Sequence, residues 1–132
     1  HEVDVEPVEA GTAGVVAREA DVVLVEALAV DPERAIVPIG SSTIAAAAAA
    51  WGTPVWLVAG VGRMLPVPIV ASMVERVERQ SAESDPWDLD VEVLPTAMVS
   101  HVVGPSGIVP IGPPAITPDC SLAPELLRAS PM

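Results

Sequence analysis

The sequence predicts an α/β fold: a three-layer, doubly wound, Rossmann-like domain built around a mainly parallel sheet. Two nearly continuous apolar runs, "DVVLVEALAV" from Asp21 and "PVWLVAG" from Pro54, are typical of strands buried on both faces. Helical patterns lie between and after them, and strands that alternate with helices indicate such a sheet. The chain has 132 residues, 51% of them hydrophobic, which is enough for one domain over residues 1–132.

The elements before and after the first run are short. Residues 2–8 alternate acids with valines, which predicts a strand with one wet face, and Pro7 indicates an edge or an end. A short helix is expected from Gly11. After the first run, Asp31 and Pro32 mark a turn, and residues 35–38 are expected to be extended.

The stretch "GSSTIAAAAAAWG" predicts a helix with a defined start and stop. Alanine is the best helix former, the Gly and Ser residues before it are capping residues, and Gly52 followed by Pro54 ends it. Residues 44–62 carry no charge and have about the length that spans a bilayer. Because Gly52, Thr53 and Pro54 interrupt that stretch, we interpret it as a helix followed by a buried strand.

The second half begins with an amphipathic helix over residues 68–80 and continues through an acidic connection to a strand, "VEVLP". The next segment, "PTAMVSHVV", is expected to be a short helix or an extended piece. From Gly104 onward Pro and Gly dominate, which predicts mostly ordered loop, with "APELL" as a last helical turn. Residues 98–115 are so apolar that they belong either to the core or to an interface.

The charge composition excludes several classes of partner. Eighteen acidic residues against six basic ones, all Arg, give a net charge of −12, which repels nucleic acid and anionic membranes. An acid excess without lysine is typical of a halophile.

The lone Cys120 excludes an intramolecular disulfide, favours a cytoplasmic setting and is expected to be a packed side chain. No spacing of His and Cys predicts a metal site, and no motif predicts a cofactor.

The start of the alanine helix is the candidate ligand site. In doubly wound sheets, ligands bind beyond the carboxyl ends of the strands, where helix N-termini point. Gly40, Ser41, Ser42 and Thr43 are therefore candidates for binding an anion through backbone N–H groups; a plain N-cap is the alternative. Arg63 follows the second buried strand and is a candidate for a phosphate contact, with a solvated loop arginine as the alternative.

Three stretches in order, "ADVVLVEALAV", "VPIGSSTIAAAAAAWGTPVWLVAG" and "VEVLPTAMVSHVVGPSGIVP", resemble the C-terminal Rossmann-like domain of the initiation factor 2B family. That family joins regulatory alpha, beta and delta subunits to sugar-phosphate isomerases acting on methylthioribose-1-phosphate or ribose-1,5-bisphosphate. The resemblance implies that the chain is a fragment without the family's helical N-terminal domain and that it forms homo- or hetero-oligomers through this half. The acidic, lysine-free composition adds the expectation of a haloarchaeal origin.

The polar residues of the isomerases are missing from the matching positions. Where members carry Gly-Ala-Asp, this chain has Glu26, Ala27 and Leu28; where they carry Asn-Lys before the helix, it has Val37 and Pro38. The Thr-Glu pair of the later motif is also absent. Glu26 is the one catalytic candidate, since residues 26 and 28 share a strand face; a local cap or ion pair is the alternative.

We therefore expect a non-catalytic initiation factor 2B-like domain that acts in subunit assembly and binds, at most, a phosphorylated metabolite. The alternative function is an aldose–ketose isomerase whose active site is completed by the missing N-terminal domain. A generic nucleotide-binding protein is disfavoured because the sequence has no GxGxxG motif.

Overall fold

The structure of the chain is a computed structural model that describes residues 3–112 and 115–118. The helices in these ranges are α1 (Ala13–Glu19), α2 (Ser41–Trp51) and α3 (Val67–Glu83). The strands are β1 (Val23–Glu26), β2 (Ala29–Val30), β3 (Arg34–Pro38), β4 (Val55–Val58), β5 (Val91–Pro95), β6 (His101–Gly104) and β7 (Gly107–Pro110). Cys120 and the turn expected at "APELL" lie outside the described residues.

The strands form two sheets, which we call sheet A and sheet B. Sheet A has the order β1-β4-β6-β7, with β1, β4 and β6 parallel and β7 antiparallel to β6. Sheet B has the order β2-β3-β5 and is antiparallel throughout. An α/β fold with a mainly parallel sheet is therefore confirmed, whereas the doubly wound, three-layer arrangement stays a prediction.

Sheet B exists because the chain reverses direction at Asp31. The Asp31 side chain is buried, and its Oδ1 accepts the backbone N–H groups of Glu33 and Arg34, each at 2.8 Å. The turn joins β2 to β3, whereas the single strand predicted from Asp21 is interrupted earlier, at Ala27 and Leu28, which separate β1 from β2. The strand predicted at "VEVLP" is present as β5, but it pairs antiparallel with β3 instead of joining the parallel sheet.

Helix α2 packs on one side of sheet A, which we call the packed face (Val23, Val25, Val55, Leu57, Val102). Ala45 and Ala48 are fully buried there, and their small side chains let the helix backbone lie close to the strands. Helix α1 packs beside α2, and the Thr53 hydroxyl donates to the Ala17 carbonyl at 2.8 Å. Helix α3 instead packs against sheet B.

The opposite side of sheet A differs from the prediction of strands buried on both faces. We call it the open face (Leu24, Glu26, Trp56, Val58, His101, Val103), as the strand register defines it. Leu24 is 61% exposed, Glu26 is exposed and the other four are half-buried, because none of the three helices has its main packing there. The apolar run from Asp21 therefore predicted a strand correctly. Its prediction that the strand is buried on both faces was wrong, because only one face is buried.

Two further expectations need correction. Residues 3–8 form no strand, since no described strand lies beside them, and their side chains are exposed. The loop expected after Gly104 contains β7, which forms a hairpin with β6. Gly107, at φ +123°, supplies the backbone conformation that this tight turn requires.

Candidate functional site

The candidate site is the N-terminus of α2, where a glycine and a distant carboxylate define the geometry. Gly40 is the N-cap residue and has φ +94°, a left-handed conformation that glycine adopts without strain. The Glu92 carboxylate lies over the turn: its Oε2 accepts the N–H of Gly40 at 2.6 Å and that of Ser42 at 3.3 Å. These N–H groups are ones that an external anion would otherwise use.

Glu92 reaches this position through the pairing of β3 with β5. The register sets Val37 opposite Glu92, and the Ile39 N–H donates to the Asp90 carbonyl at 2.9 Å just beyond the strand ends. Gly40 and Glu92 are 52 residues apart in the sequence. The sequence reasoning missed Glu92 because only the β3–β5 register brings it to α2, and no local motif encodes that register.

The other candidates at this turn have local roles or solvent exposure. The Ser41 hydroxyl donates to the Pro38 carbonyl at 2.7 Å, so it closes the turn and does not cap the helix. Ser42 is half-buried and Thr43 is exposed. Residues 40–43 thus form a helix start whose free N–H groups meet a carboxylate of the chain itself.

Arg63 is exposed, and its guanidinium is directed to a backbone group. Its Nη1 donates to the Leu28 carbonyl at 3.1 Å, and its own carbonyl accepts the N–H of Val30 at 2.9 Å. Among the described residues, no hydrogen bond or ion pair joins Arg63 to residues 40–43. Arg63 therefore hydrogen-bonds to the β1–β2 connection and to β2, rather than to residues 40–43.

Leu28, at the position where the family resemblance implies an aspartate, has apolar surroundings as well as an apolar side chain. Leu28 is half-buried and packs with the cluster between α3 and sheet B. Glu26 lies on the open face, exposed, without a hydrogen bond or ion pair to the described part of the chain. Glu92 is thus the one carboxylate that hydrogen-bonds at the α2 turn within residues 3–112 and 115–118.

Two cavities lie elsewhere in the described chain, and one of about 250 Å³ between α3 and sheet B has Arg76 as the charged side chain of its lining (Leu28, Ile36, Met73, Arg76, Val77, Val91). The other, of about 440 Å³, lies by the β6–β7 turn, without a charged side chain in its lining (Met64, Gly104, Pro105, Ser106, Gly107, Val109, Ala115, Thr117, Pro118). In residues 3–112 and 115–118, no three His, Cys, Asp or Glu side chains converge as metal ligands would. None of the helices described has the length and apolarity needed to cross a bilayer.

The sequence matches no protein-family model and no curated protein at a significant level. Solved structures do resemble its fold. The translation initiation factor eIF-2B of Pyrococcus horikoshii OT3 superposes with a TM-score of 0.61 at 18% identity, over 85% of this chain and 41% of that one. The 5-methylthioribose 1-phosphate isomerase of the same organism superposes with a TM-score of 0.57 at 19% identity, over 86% of this chain and 35% of that one.

The tetrameric eIF2B-beta2-delta2 complex from Chaetomium thermophilum gives a TM-score of 0.52 at 19% identity, over 73% of this chain and 29% of that one. The structural neighbours are thus eIF2B subunits and an isomerase, the two branches that the sequence motifs resemble. The chain spans less than half the length of each of these neighbours.

Proposed function

We propose that this chain is the Rossmann-like, C-terminal part of an initiation factor 2B-like protein, that it acts in subunit assembly, and that it does not catalyse isomerisation. The observation that carries the proposal is the Glu92 carboxylate on the N-terminus of α2. A substrate phosphate at this turn would meet a negative charge instead of free N–H groups. Leu28, Val37 and Pro38 also supply no acid, base or amide for proton transfer.

The assembly role is supported by the neighbouring fold and by exposed apolar residues. The neighbour from Chaetomium thermophilum is a tetramer of beta and delta subunits. Within residues 98–115, Val99 and Val102 are buried in the chain's own core, whereas Ile108 and Val109 are exposed on β7. We place the subunit contact on this exposed part of the β6–β7 hairpin.

The remaining parts of the proposal follow from charge and composition. A phosphorylated metabolite would bind at residues 40–43 only if Glu92 moved away. A cytoplasmic location without nucleic acid or membrane partners fits the net charge of −12 and the single cysteine. In the longer protein we propose a doubly wound, three-layer sheet together with a helical N-terminal domain.

The first experiment is an isomerase assay of the purified chain with ribose-1,5-bisphosphate and methylthioribose-1-phosphate. We expect no turnover above background, because the positions that match the family's Asp, Asn and Lys are Leu28, Val37 and Pro38. The Pyrococcus horikoshii isomerase serves as the positive control. Turnover that disappears in Glu26→Gln would establish the alternative function, an aldose–ketose isomerase, which the likeness to that enzyme favours.

The second experiment tests assembly by light scattering at high salt, for the chain alone and with related subunits of its own organism. We expect association that Val109→Asp weakens, because a charge on β7 opposes burial of the hairpin. Val102→Asp is unsuitable, since Val102 is fully buried and a charge there is expected to destabilise the sheet itself. Val61→Asp, at a site 82% exposed in a loop, is the matched control. A monomer under all conditions contradicts the assembly role.

A further inference from the structure

The cavity between α3 and sheet B, which we call the α3 cavity, is apolar in all of its lining but one residue. Its volume is about 250 Å³, and five of its six lining residues carry aliphatic or thioether side chains (Leu28, Ile36, Met73, Val77, Val91). Well-packed protein interiors leave few voids larger than a water molecule. Since an apolar cavity of about 150 Å³ holds benzene, the α3 cavity has room for an apolar chain of about eight carbons.

The walls of the α3 cavity belong to regular elements, so its shape is defined by the fold. Ile36 of β3 is the most buried of the lining residues, at 4% exposure, and its carbonyl accepts the N–H of Leu28 at 2.8 Å. Val91 of β5 lies on the same sheet. Helix α3 supplies the opposite wall from positions that share one helix face (Met73, Arg76, Val77).

Arg76 gives the α3 cavity a positive charge that nothing in the described chain neutralises. Its side chain is exposed, and the one ion pair of the described residues joins Arg18 to Glu19 instead. The lining contains no Asp or Glu, although the chain has a net charge of −12. Because an arginine lays its apolar stem along a wall and keeps its guanidinium in water, this residue suits an anionic group at the mouth of the cavity.

We propose that the α3 cavity binds a small amphiphilic carboxylate, a monoanion with an unbranched apolar chain of about 6–10 carbons. The chain lies against the aliphatic lining, and the carboxylate accepts hydrogen bonds from the Arg76 guanidinium. A sugar phosphate fits this cavity poorly, because its hydroxyl groups would be buried against apolar side chains without partners. The α3 cavity shares no residue with the turn at residues 40–43, so the inference is independent of the function proposed above.

The size of the α3 cavity favours a small molecule over a protein segment. A docked helix or strand needs a groove that takes several of its side chains in succession. The α3 cavity is enclosed by six residues and holds about one chain of the stated length. The charge of Arg76 distinguishes a carboxylate from a neutral apolar molecule of the same size.

The experiment is a titration with octanoate, followed by NMR of isotope-labelled methionine methyl groups at molar salt, which screens the net negative charge. Met73 lines the α3 cavity and Met64 lines the cavity by the β6–β7 turn, so the two signals report which cavity is occupied. We expect the Met73 signal to shift saturably with a Kd below about 1 mM. The Met64 signal should stay unchanged, and Met73→Leu assigns the Met73 signal.

A pair of arginine variants tests the carboxylate contact. Arg76→Gln should weaken octanoate binding by at least about tenfold, because the charge-assisted hydrogen bonds are lost. Arg79→Gln removes the same charge from an exposed position of α3 outside the lining and should change the Kd by less than about twofold. Since both residues are exposed, both variants should keep the fold.

Two further probes separate the apolar chain from the charge. Octanol has the chain without the carboxylate and acetate has the carboxylate without the chain, so each should bind at least about tenfold more weakly than octanoate. The proposal is overturned if octanoate leaves the Met73 signal unchanged or shifts Met64 instead. It is also overturned if the two arginine variants bind octanoate equally, or if octanol or acetate binds as tightly as octanoate. None of these results bears on the isomerase assay or the Val109→Asp test.

Discussion

At the residue scale, the polar side chains near the candidate site satisfy the chain's own backbone. Glu92 accepts two N–H groups at the start of α2, and Arg63 donates to the Leu28 carbonyl. Both contacts use charge to complete hydrogen bonds that sheet and helix termini leave open. The free donors at the start of α2 are thus used within the fold.

Replacing Glu92 tests this role directly. Glu92→Ala should lower the free energy of unfolding by about 1–2 kcal/mol, because Gly40 and Ser42 lose their acceptor. Glu92→Gln, which keeps a neutral oxygen, should lose less. Urea denaturation measures both. Asp90→Ala is the control, because the Asp90 carboxyl group lies two residues from Glu92 on the chain but caps no helix. Equal losses of unfolding free energy at positions 90 and 92 would contradict the capping role.

At the element scale, the alanines of α2 have different environments along the helix. Ala45 and Ala48 are fully buried, whereas Ala46, Ala49 and Ala50 are exposed. At the exposed positions, alanine is explained by its high helix propensity. At the buried positions, it is explained by the close approach of the helix to the sheet, which leaves space only for a small side chain. Gly52, at φ +73°, then ends the helix in the left-handed conformation that glycine tolerates best.

Two leucine substitutions distinguish the alanines that α2 needs for helix propensity from those it needs for close packing. Ala48→Leu should destabilise the fold by about 1–3 kcal/mol, because extra methylenes have no space between α2 and the packed face. Ala49→Leu places the same side chain in solvent on the same helix and should change stability by less than about 0.5 kcal/mol. Thermal and denaturant unfolding measure the difference. Similar losses at both sites would mean that the helix does not pack as described.

At the scale of the whole molecule, negative charge is largely unpaired. Within the described ranges, the one ion pair joins Arg18 Nε and Glu19 Oε1 at 3.0 Å, and Arg18 also lies over the Trp51 ring. The exposed side of α3 carries Glu75, Glu78 and Glu83 together with Arg76 and Arg79, and none of them forms an ion pair. Self-repulsion of the chain's net charge of −12 therefore opposes the compact state until salt screens it.

The melting temperature should accordingly rise by several degrees from low to molar salt. A variant with Glu75→Gln, Glu78→Gln and Glu83→Gln should be more stable at low salt and respond less to salt, because it has less repulsion to screen. Calorimetry of both proteins over a salt series makes the comparison. Melting temperatures independent of salt, or identical responses of the two proteins, would exclude screening as the cause.

The sequence by itself determined the elements whose signals are local. It predicted α2 from its alanines and flanking glycines, α3 from its apolar spacing, and β4 and β5 from their apolar runs. These predictions hold because backbone propensity and side-chain periodicity act within a few residues. The sequence motifs also indicated the eIF2B-like fold that the structural neighbours share.

Only the tertiary structure decided how those elements meet. Strand pairing depends on residues far apart in the chain, so the antiparallel register that brings Glu92 to Gly40 had no local signal. The same holds for the faces of β1: Leu24 and Val25 are both apolar, yet one is exposed and the other buried. An apolar residue can be buried only where another element lies against it, and α2 lies on one side of sheet A.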